Sequence, residues 1–352
     1  MEKVKIALVG AGNIANTHLA SYQKVPNAEI YAICDINENR LNETADKFGI
    51  SRRYTDIDTM LSELPELDAV DVCTWNNAHA ACSIQALNAG KHVLCEKPMA
   101  FNTRQAEQMR QAAERNNKLL MIGYVLRFSD EVRIAKDFVD KDFLGDIYYA
   151  KAQYVRRHGN PGGWFADKER SGGGPVIDLG VHVIDLTRYL MGSPKPVSVY
   201  AVTGNKLGSR PYLKNGVGWQ PKDASPEDPC TVEDFGTALI RYDNGAVTLL
   251  EASYDMNGPS IGCKQLFGTK GGMDLSSGVK IYGTCNDYLA DIQVDTKNLR
   301  DSKDLFVEEM AHFVDCIQNG TPCRATAEDG ITVMKILDAI YESGRTGHEV
   351  IL

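Results

Sequence analysis

Two places in the 352-residue chain put reactive side chains at suggestive spacings. Residues 172–186 read GGGPVIDLGVHVIDL, where three glycines and a proline lead into a predicted helix over 174–191. Pro175 suits the first helical turn, and the glycines allow close approach of chain or ligand. On a regular helix Asp178 and His182, four residues apart, stack on one face. A neutral imidazole is a base near pH 7, and a carboxylate beside it orients a partner or balances a charge. The same pair also serves as a plain structural hydrogen bond, and Asp185 is a flanking competitor for His182. The second place is Lys97, which precedes Pro98 in KHVLCEKP. The proline biases Lys97 toward extended backbone and permits a cis bond. An ammonium there polarises a hydroxyl or carbonyl, unless it is an ordinary solvated lysine at a strand end.

The elements that would position these groups follow from hydrophobic patterning. VKIALVG (4–10) is an apolar strand running into GAGNIA (10–15) and then a helical pattern. Strand, glycine turn and helix in the form Gly-x-Gly-x-x-Ala make a dinucleotide fingerprint. Gly10 permits the turn, Gly12 lets backbone approach a pyrophosphate, and small Ala15 lets helix and strand pack. The free N–H groups of the helix start face the phosphates. AEIYAICD ends in Asp35, about 20 residues on, where a carboxylate binds ribose hydroxyls and repels a 2′-phosphate. NAD is therefore favoured over NADP, with Arg40 close enough to keep NADP in play.

Strands and helices keep alternating. Helices over 38–48 and 56–63, a strand over 68–74, a helix over 78–89, a strand in KHVLCEKP, a helix in TRQAEQMRQAAERN and a strand in KLLMIGY predict a parallel sheet covered on both faces. Ligands bind beyond the carboxyl ends of such strands. That singles out Thr74, Trp75 and Asn76, then Glu96 and Lys97, then Arg127 with its neighbours. His79, near the start of a helix, fits capping or packing as well as cofactor contact.

After a helix over 130–140 the style changes. Strands over 146–158, 196–204, 232–242 and 245–254 alternate in part, and Asn244 followed by Gly245 signals a hairpin. A long loop is expected over 205–231, and amphipathic helices over 304–318 and 326–343. The predicted fold class is α/β: a doubly wound parallel sheet over 1–124, then an α+β domain over 125–352 with a large, mostly antiparallel open sheet. The closing helices, about 304–343, are expected to pack back.

Bulk properties narrow the function. The net charge of −9 argues against nucleic-acid or anionic-membrane binding. No apolar run is long enough to span a bilayer. The start MEKVKIALVGAG lacks the pattern of a signal peptide. Nine scattered cysteines without a CxxC pair suit reduced thiols in a cytoplasm, and no metal site is expected.

GAGNIA, Asp35, AGKHVLCEKPMA (89–100), GGGPVIDLGVHVIDL and the C-terminal EEMAHFVDCIQNG and AEDGITVMKILDAIYESGRTG together resemble the Gfo/Idh/MocA oxidoreductases, in order and over nearly the whole chain. The resemblance implies a Rossmann domain binding NAD(P) and a second domain whose open sheet forms dimers or tetramers. It also implies Lys97, Asp178 and His182 as the catalytic set. The matching cofactor positions are Gly10, Gly12, Asn13, Ile14, Asp35, Thr74, Asn76, His79, Glu96, Lys97 and Arg127. Trp75 departs from the family's usual Thr-Pro-Asn and reshapes that loop. The implied reaction is oxidation of a secondary hydroxyl of a sugar, glycoside or inositol. In it His182 takes the proton, Lys97 stabilises developing alkoxide and Asp178 orients Lys97 or a substrate hydroxyl.

In YVRRHGNPGGW, Tyr154, Arg156, Arg157, His158 and Trp164 suit a polyhydroxylated ring, with Trp164 stacking on its apolar face. The two arginines point to opposite faces, so only one reaches a site there. A strand-end basic patch is the alternative. Two other functional classes remain at this level: an enzyme that keeps NAD bound and uses it transiently, and a non-catalytic dinucleotide or sugar sensor.

Overall fold

The computed structural model describes residues 2–352 apart from 223, 226, 297, 298 and 300–303. They form two compact units, Met1–Phe128 with Lys303–Ile331, and Ser129–Ser302 with Thr332–Leu352. In the first, β1 (Val4–Val9), β2 (Ala28–Cys34), β3 (Arg53–Tyr54), β4 (Ala69–Val72), β5 (His92–Glu96) and β6 (Leu120–Gly123) form one parallel sheet. Between them run α1 (Asn13–Tyr22), α2 (Glu38–Phe48), α3 (Ile57–Glu63), α4 (His79–Asn88) and α5 (Thr103–Arg115). The central strands are mostly apolar because both of their faces are covered: every residue of β4 and β6 is buried, Asp71 of β4 included. Strand order is β3-β2-β1-β4-β5-β6, so the winding reverses between β1 and β4. The crevice at their carboxyl ends is where a doubly wound sheet takes its ligand.

The second unit begins with α6 (Asp130–Asp140), β7 (Ile147–Val155), α7 (Lys168–Ser171) and α8 (Val181–Leu190). Strands β8 (Pro196–Gly204), β9 (Phe235–Tyr242), β10 (Val247–Ser253), β11 (Lys264–Gly268), β12 (Gly272–Asp274), β13 (Lys280–Cys285) and β14 (Tyr288–Gln293) follow. The chain closes with α9 (Leu305–Asn319), α10 (Ala327–Thr346) and β15 (Val350–Ile351). The nine-stranded sheet, β14-β13-β12-β11-β7-β10-β9-β8-β15, is antiparallel except where β7 meets β10. β9 and β10 form the hairpin expected at Asn244 and Gly245, with Gly245 at φ +84. In β9 every second residue is buried, so one face of the sheet packs inward, and α8 lies against β7, β10 and β11. The described residues of 205–231 form no helix or strand; Asp223 and Pro226 of that loop lie outside the described residues.

The closing helices divide differently from the sequence expectation, which placed both in the second domain. α9 and the first residues of α10 belong with the Rossmann unit. α9 lies against α1 and buries Glu309, Met310, Phe313 and Val314. Its apolar face is spent there.

Candidate active site

The glycine turn divides its work between two residues. At Gly10 φ is +97, and a Cβ there would stand 2.5 Å from the Cys73 carbonyl oxygen, so only glycine fits between β1 and β4. A Cβ on Gly12 would meet nothing within 4 Å, which leaves room for a ligand to approach the backbone. α2, α3, α5 and α6 each start on a side-chain cap, from Asn37, Asp56, Asn102 and Ser129. α1 has none, and its first N–H groups are left for an anion, beside exposed Asn13 and half-buried Ile14. At the tip of β2, Asp35 accepts the Ala11 N–H and the Asn37 N–H, each at 2.7 Å, which pins its carboxylate beside the glycine turn. The donor set fits a dinucleotide: uncapped amides for phosphates and a fixed carboxylate for ribose. Arg40 lies half-buried in the first turn of α2, its backbone N–H taken by the Asn37 cap.

At the exit of β4, Thr74 and Trp75 are half-buried and Asn76 is buried. Two other residues expected at the cofactor are turned inward instead. His79 is buried, its Nδ1 2.7 Å from the Pro98 carbonyl and its Nε2 3.2 Å from that of Thr74. Burial holds its pKa below the usual histidine value, so one nitrogen donates, and the shorter contact marks Nδ1. His79, at the start of α4, thus fastens the Pro98 loop through one hydrogen bond. The guanidinium of Arg127 pairs with Asp329 at 3.0 Å and donates to the Arg324 carbonyl, which ties the exit of β6 to the α9–α10 connection. Burial forces such a charge to be paired within the protein. Glu96 is buried, and its Oε2 accepts the Lys97 N–H at 3.1 Å; the Lys97–Pro98 peptide is cis.

In the second unit the glycine run is held by residues that no local pattern announced. A Cβ on Gly173 would stand 2.0 Å from the Tyr341 hydroxyl, and one on Gly174 would stand 2.2 Å from the Glu233 carbonyl. The Glu233 carboxylate accepts N–H bonds from Gly174 (2.9 Å) and Val176 (3.2 Å), and the Tyr341 hydroxyl donates to it at 2.9 Å. Burial pushes Glu233 up despite these donors. Beyond this cap the helix does not start in regular form. Val176–Gly180 is a π-helical turn, closed by the Val181 N–H on the Val176 carbonyl, and α8 follows. The expected α-helix over 174–191 is therefore widened by about one residue per turn where Asp178 sits, a deviation common at functional sites.

Of residues 173–190, only Asp178, His182 and Tyr189 are not buried. Asp185, the competing partner for His182, is buried. Tyr254 donates to Asp178 Oδ2 at 2.9 Å; burial, then the charge of Asp178, push its phenol well above the usual range and keep it a donor. Arg156 Nη2 lies 3.5 Å from the Tyr154 hydroxyl, and the guanidinium feels the charge of Asp178. Tyr154 packs against the cluster that contains Tyr254, the phenol holding Asp178. Arg157 is exposed, and His158 pairs with buried Asp255 at 2.8 Å, which also holds Arg210. Half-buried Trp164 has its ring centroid 3.9 Å from that of Phe165, which meets Trp219 edge-on. Glu233, Tyr254 and Tyr341 carry no local sequence signal, because they lie 57 or more residues from the groups they hold.

Two family models match the chain: residues 4–124 an oxidoreductase family with an NAD-binding Rossmann fold, and residues 132–274 the GFO/IDH/MocA C-terminal domain. D-glucoside 3-dehydrogenase of Escherichia coli K12 is 33% identical, with 99% of this chain and 97% of that protein aligned. Myo-inositol 2-dehydrogenase of Thermotoga maritima is 26% identical, over 93% and 92% of the two chains. A structure of levoglucosan dehydrogenase in complex with NADH superposes with a TM-score of 0.87 at 24% identity, covering 99% of each chain, and so shares the fold. The chain belongs to the Gfo/Idh/MocA family of oxidoreductases.

Proposed function

We propose that the protein oxidises a secondary ring hydroxyl of a glucoside or related sugar, with Lys97, Asp178 and His182 as its catalytic set. The observation that carries this reading is the exposure pattern of residues 173–190. Of that stretch only Asp178, His182 and Tyr189 escape burial, so a carboxylate and an imidazole are left half-exposed four residues apart. Near-full-length likeness to a D-glucoside 3-dehydrogenase supports the substrate class.

NAD, when bound, supplies the hydride acceptor. The residues do the rest. His182, as neutral imidazole, takes the proton from the hydroxyl oxygen. Lys97 donates to that oxygen as negative charge develops on it. Asp178, held at Oδ2 by Tyr254, orients Lys97 or a substrate hydroxyl. Arg156 and Tyr154 beside it, and Trp164, bind the ring. Gly10, Gly12, Asn13 and Ile14 would hold the dinucleotide's phosphates and Asp35 its ribose, and Thr74, Trp75 and Asn76 would border the nicotinamide end. Asp35 favours NAD over NADP.

The same reading places the protein in a reducing cytoplasm, in line with its nine free cysteines. It also pairs copies through the outer face of the open sheet, where Tyr200, Leu239 and Leu249 stand in register across β8, β9 and β10. Turnover is tested by near-ultraviolet absorbance with NAD and a panel of glucosides, free sugars and inositols. An NADH band is expected with glucosides, and a hundredfold or greater loss of kcat in His182→Ala and Lys97→Ala. Full turnover in folded, NAD-binding variants would remove both residues from the mechanism.

A further inference from the structure

We infer that His18, on the cofactor-binding helix α1, is a positioning residue for Lys97 and acts through Glu96; this rests on the catalytic reading of Lys97 above. His18 is 0% exposed and stands between two carboxylates. Its Nδ1 lies 2.8 Å from Asp71 Oδ2 in β4, and its Nε2 lies 3.1 Å from Glu96 Oε1 at the end of β5. The other oxygen of Glu96 accepts the main-chain N–H of Lys97. The line Asp71, His18, Glu96 thus ends on the peptide from which the Lys97 side chain springs. Gly123 makes room for it, since a Cβ there would stand 3.1 Å from Glu96 Oε1.

The surroundings fix the protonation state. Nδ1 is hydrogen-bonded to Asp71, while Nε2 faces Glu96 Oε1 at ion-pair distance without a hydrogen bond, so the hold on Glu96 is one of charge, which only the doubly protonated ring supplies. Burial alone would oppose that charge, but Asp71 and the neighbouring Cys73 outweigh it. The Cys73 thiol donates to Asp71 Oδ1 at 3.4 Å, the Phe306 ring lies 5.8 Å from the imidazole, and Tyr22 and Glu309 complete the shell. An uncharged residue in place of His18 would leave two buried carboxylates facing each other without a cation, and Glu96 would have to move or take a proton. Either change alters the acceptor that aims Lys97. The loop is gripped from its other side by His79 on the Pro98 carbonyl, so two buried histidines set the direction of one lysine.

The test uses His18→Gln and Lys97→Ala, singly and combined, in the full-length protein. Turnover is read at saturating NAD, and NAD affinity separately by binding. His18→Gln is expected to keep NAD affinity within about twofold and KM little changed. Its kcat should fall about tenfold to a hundredfold, the cost of a reacting group misplaced by up to an ångström. On the Lys97→Ala background the same change should cost nothing more, because both act on one group. A full kcat in folded His18→Gln, or an equal loss with and without Lys97, would overturn the inference. Full turnover in Lys97→Ala alone would instead sink the catalytic reading on which it rests. Should His18→Gln not fold, Asp71→Asn gives the same readout: a kcat loss that vanishes on the Lys97→Ala background supports the inference, and an additive one overturns it.

Discussion

At the scale of single residues, the fingerprint glycines look alike in sequence and differ in what they tolerate. Gly10 is glycine for the fold, because its φ of +97 and the Cys73 carbonyl both reject a side chain. Gly12 has φ −75, which any residue adopts, and nothing of the protein within reach of a Cβ. Its requirement comes from the ligand. Gly10→Ala should therefore cost at least about 1–3 kcal/mol of stability, the usual size of backbone strain before any clash is added. Gly12→Ala should leave thermal unfolding unchanged while weakening NAD binding about tenfold or more. Paired unfolding and NAD titrations decide it. Equal destabilisation in both variants would mean that Gly12 is also a structural requirement. The fingerprint already gave the turn to Gly10 and the ligand to Gly12; the Cys73 carbonyl at the exit of β4, which excludes a side chain at Gly10, lies too far along the chain for any local pattern to show.

At the scale of elements, the helix carrying Asp178 and His182 owes its start to distant side chains. Glu233 gathers two N–H groups and the Tyr341 hydroxyl at the first turn, where a side-chain oxygen satisfies orphan donors. It is also well buried, so removing it strands three donors at once. Glu233→Ala is expected to lose about 1–2 kcal/mol, as a missing cap does. It should also lower kcat more than it raises KM, because the loosened turn carries Asp178. Tyr341→Phe, which removes one donor and leaves the two backbone bonds, should do less of both. Kinetics and thermal unfolding of the two variants check the order. A Glu233→Ala enzyme with lowered stability but intact kcat would show that the π-helical turn forms without its cap. Patterning announced a helix here, and announced Asp178 and His182 on it, because period and glycine signals are local. It could not announce the wide turn or Glu233, whose tie to Gly174 spans 59 positions.

At the scale of the whole molecule, the alternation of apolar strands with helices made the Rossmann sheet and the mostly antiparallel second sheet legible, since each rests on a period read over a few residues. The placement of α9 was not legible, because its amphipathic pattern fits any apolar partner and names none. What the pattern did contain was an anomaly. Glu309 sits on the buried face of α9, among Met310, Phe313 and Val314, where an acid has no business unless paired or neutral. Among the described residues neither of its oxygens has a hydrogen-bond partner. Burial, then the charge of Glu96, push its pKa well above the ordinary carboxyl value, and the group is held neutral in the fold. The sign of the consequence is fixed by linkage. A native-state pKa above the unfolded one gives a contribution that is full below about 4.5 and is lost as pH rises toward the native value. His18, also raised, adds a loss in the same direction at higher pH, from above about 6.5. These contributions should therefore be lost progressively as pH rises, that of Glu309 from above about 4.5 and that of His18 from above about 6.5. Glu309→Gln keeps the shape of the neutral acid and has no proton to lose on that limb. The variant should match the parent's Tm at the acid end and exceed it increasingly toward pH 9. Parallel Tm–pH curves for the two proteins would place the Glu309 carboxylate in a paired, ionised state and remove it from the alkaline limb.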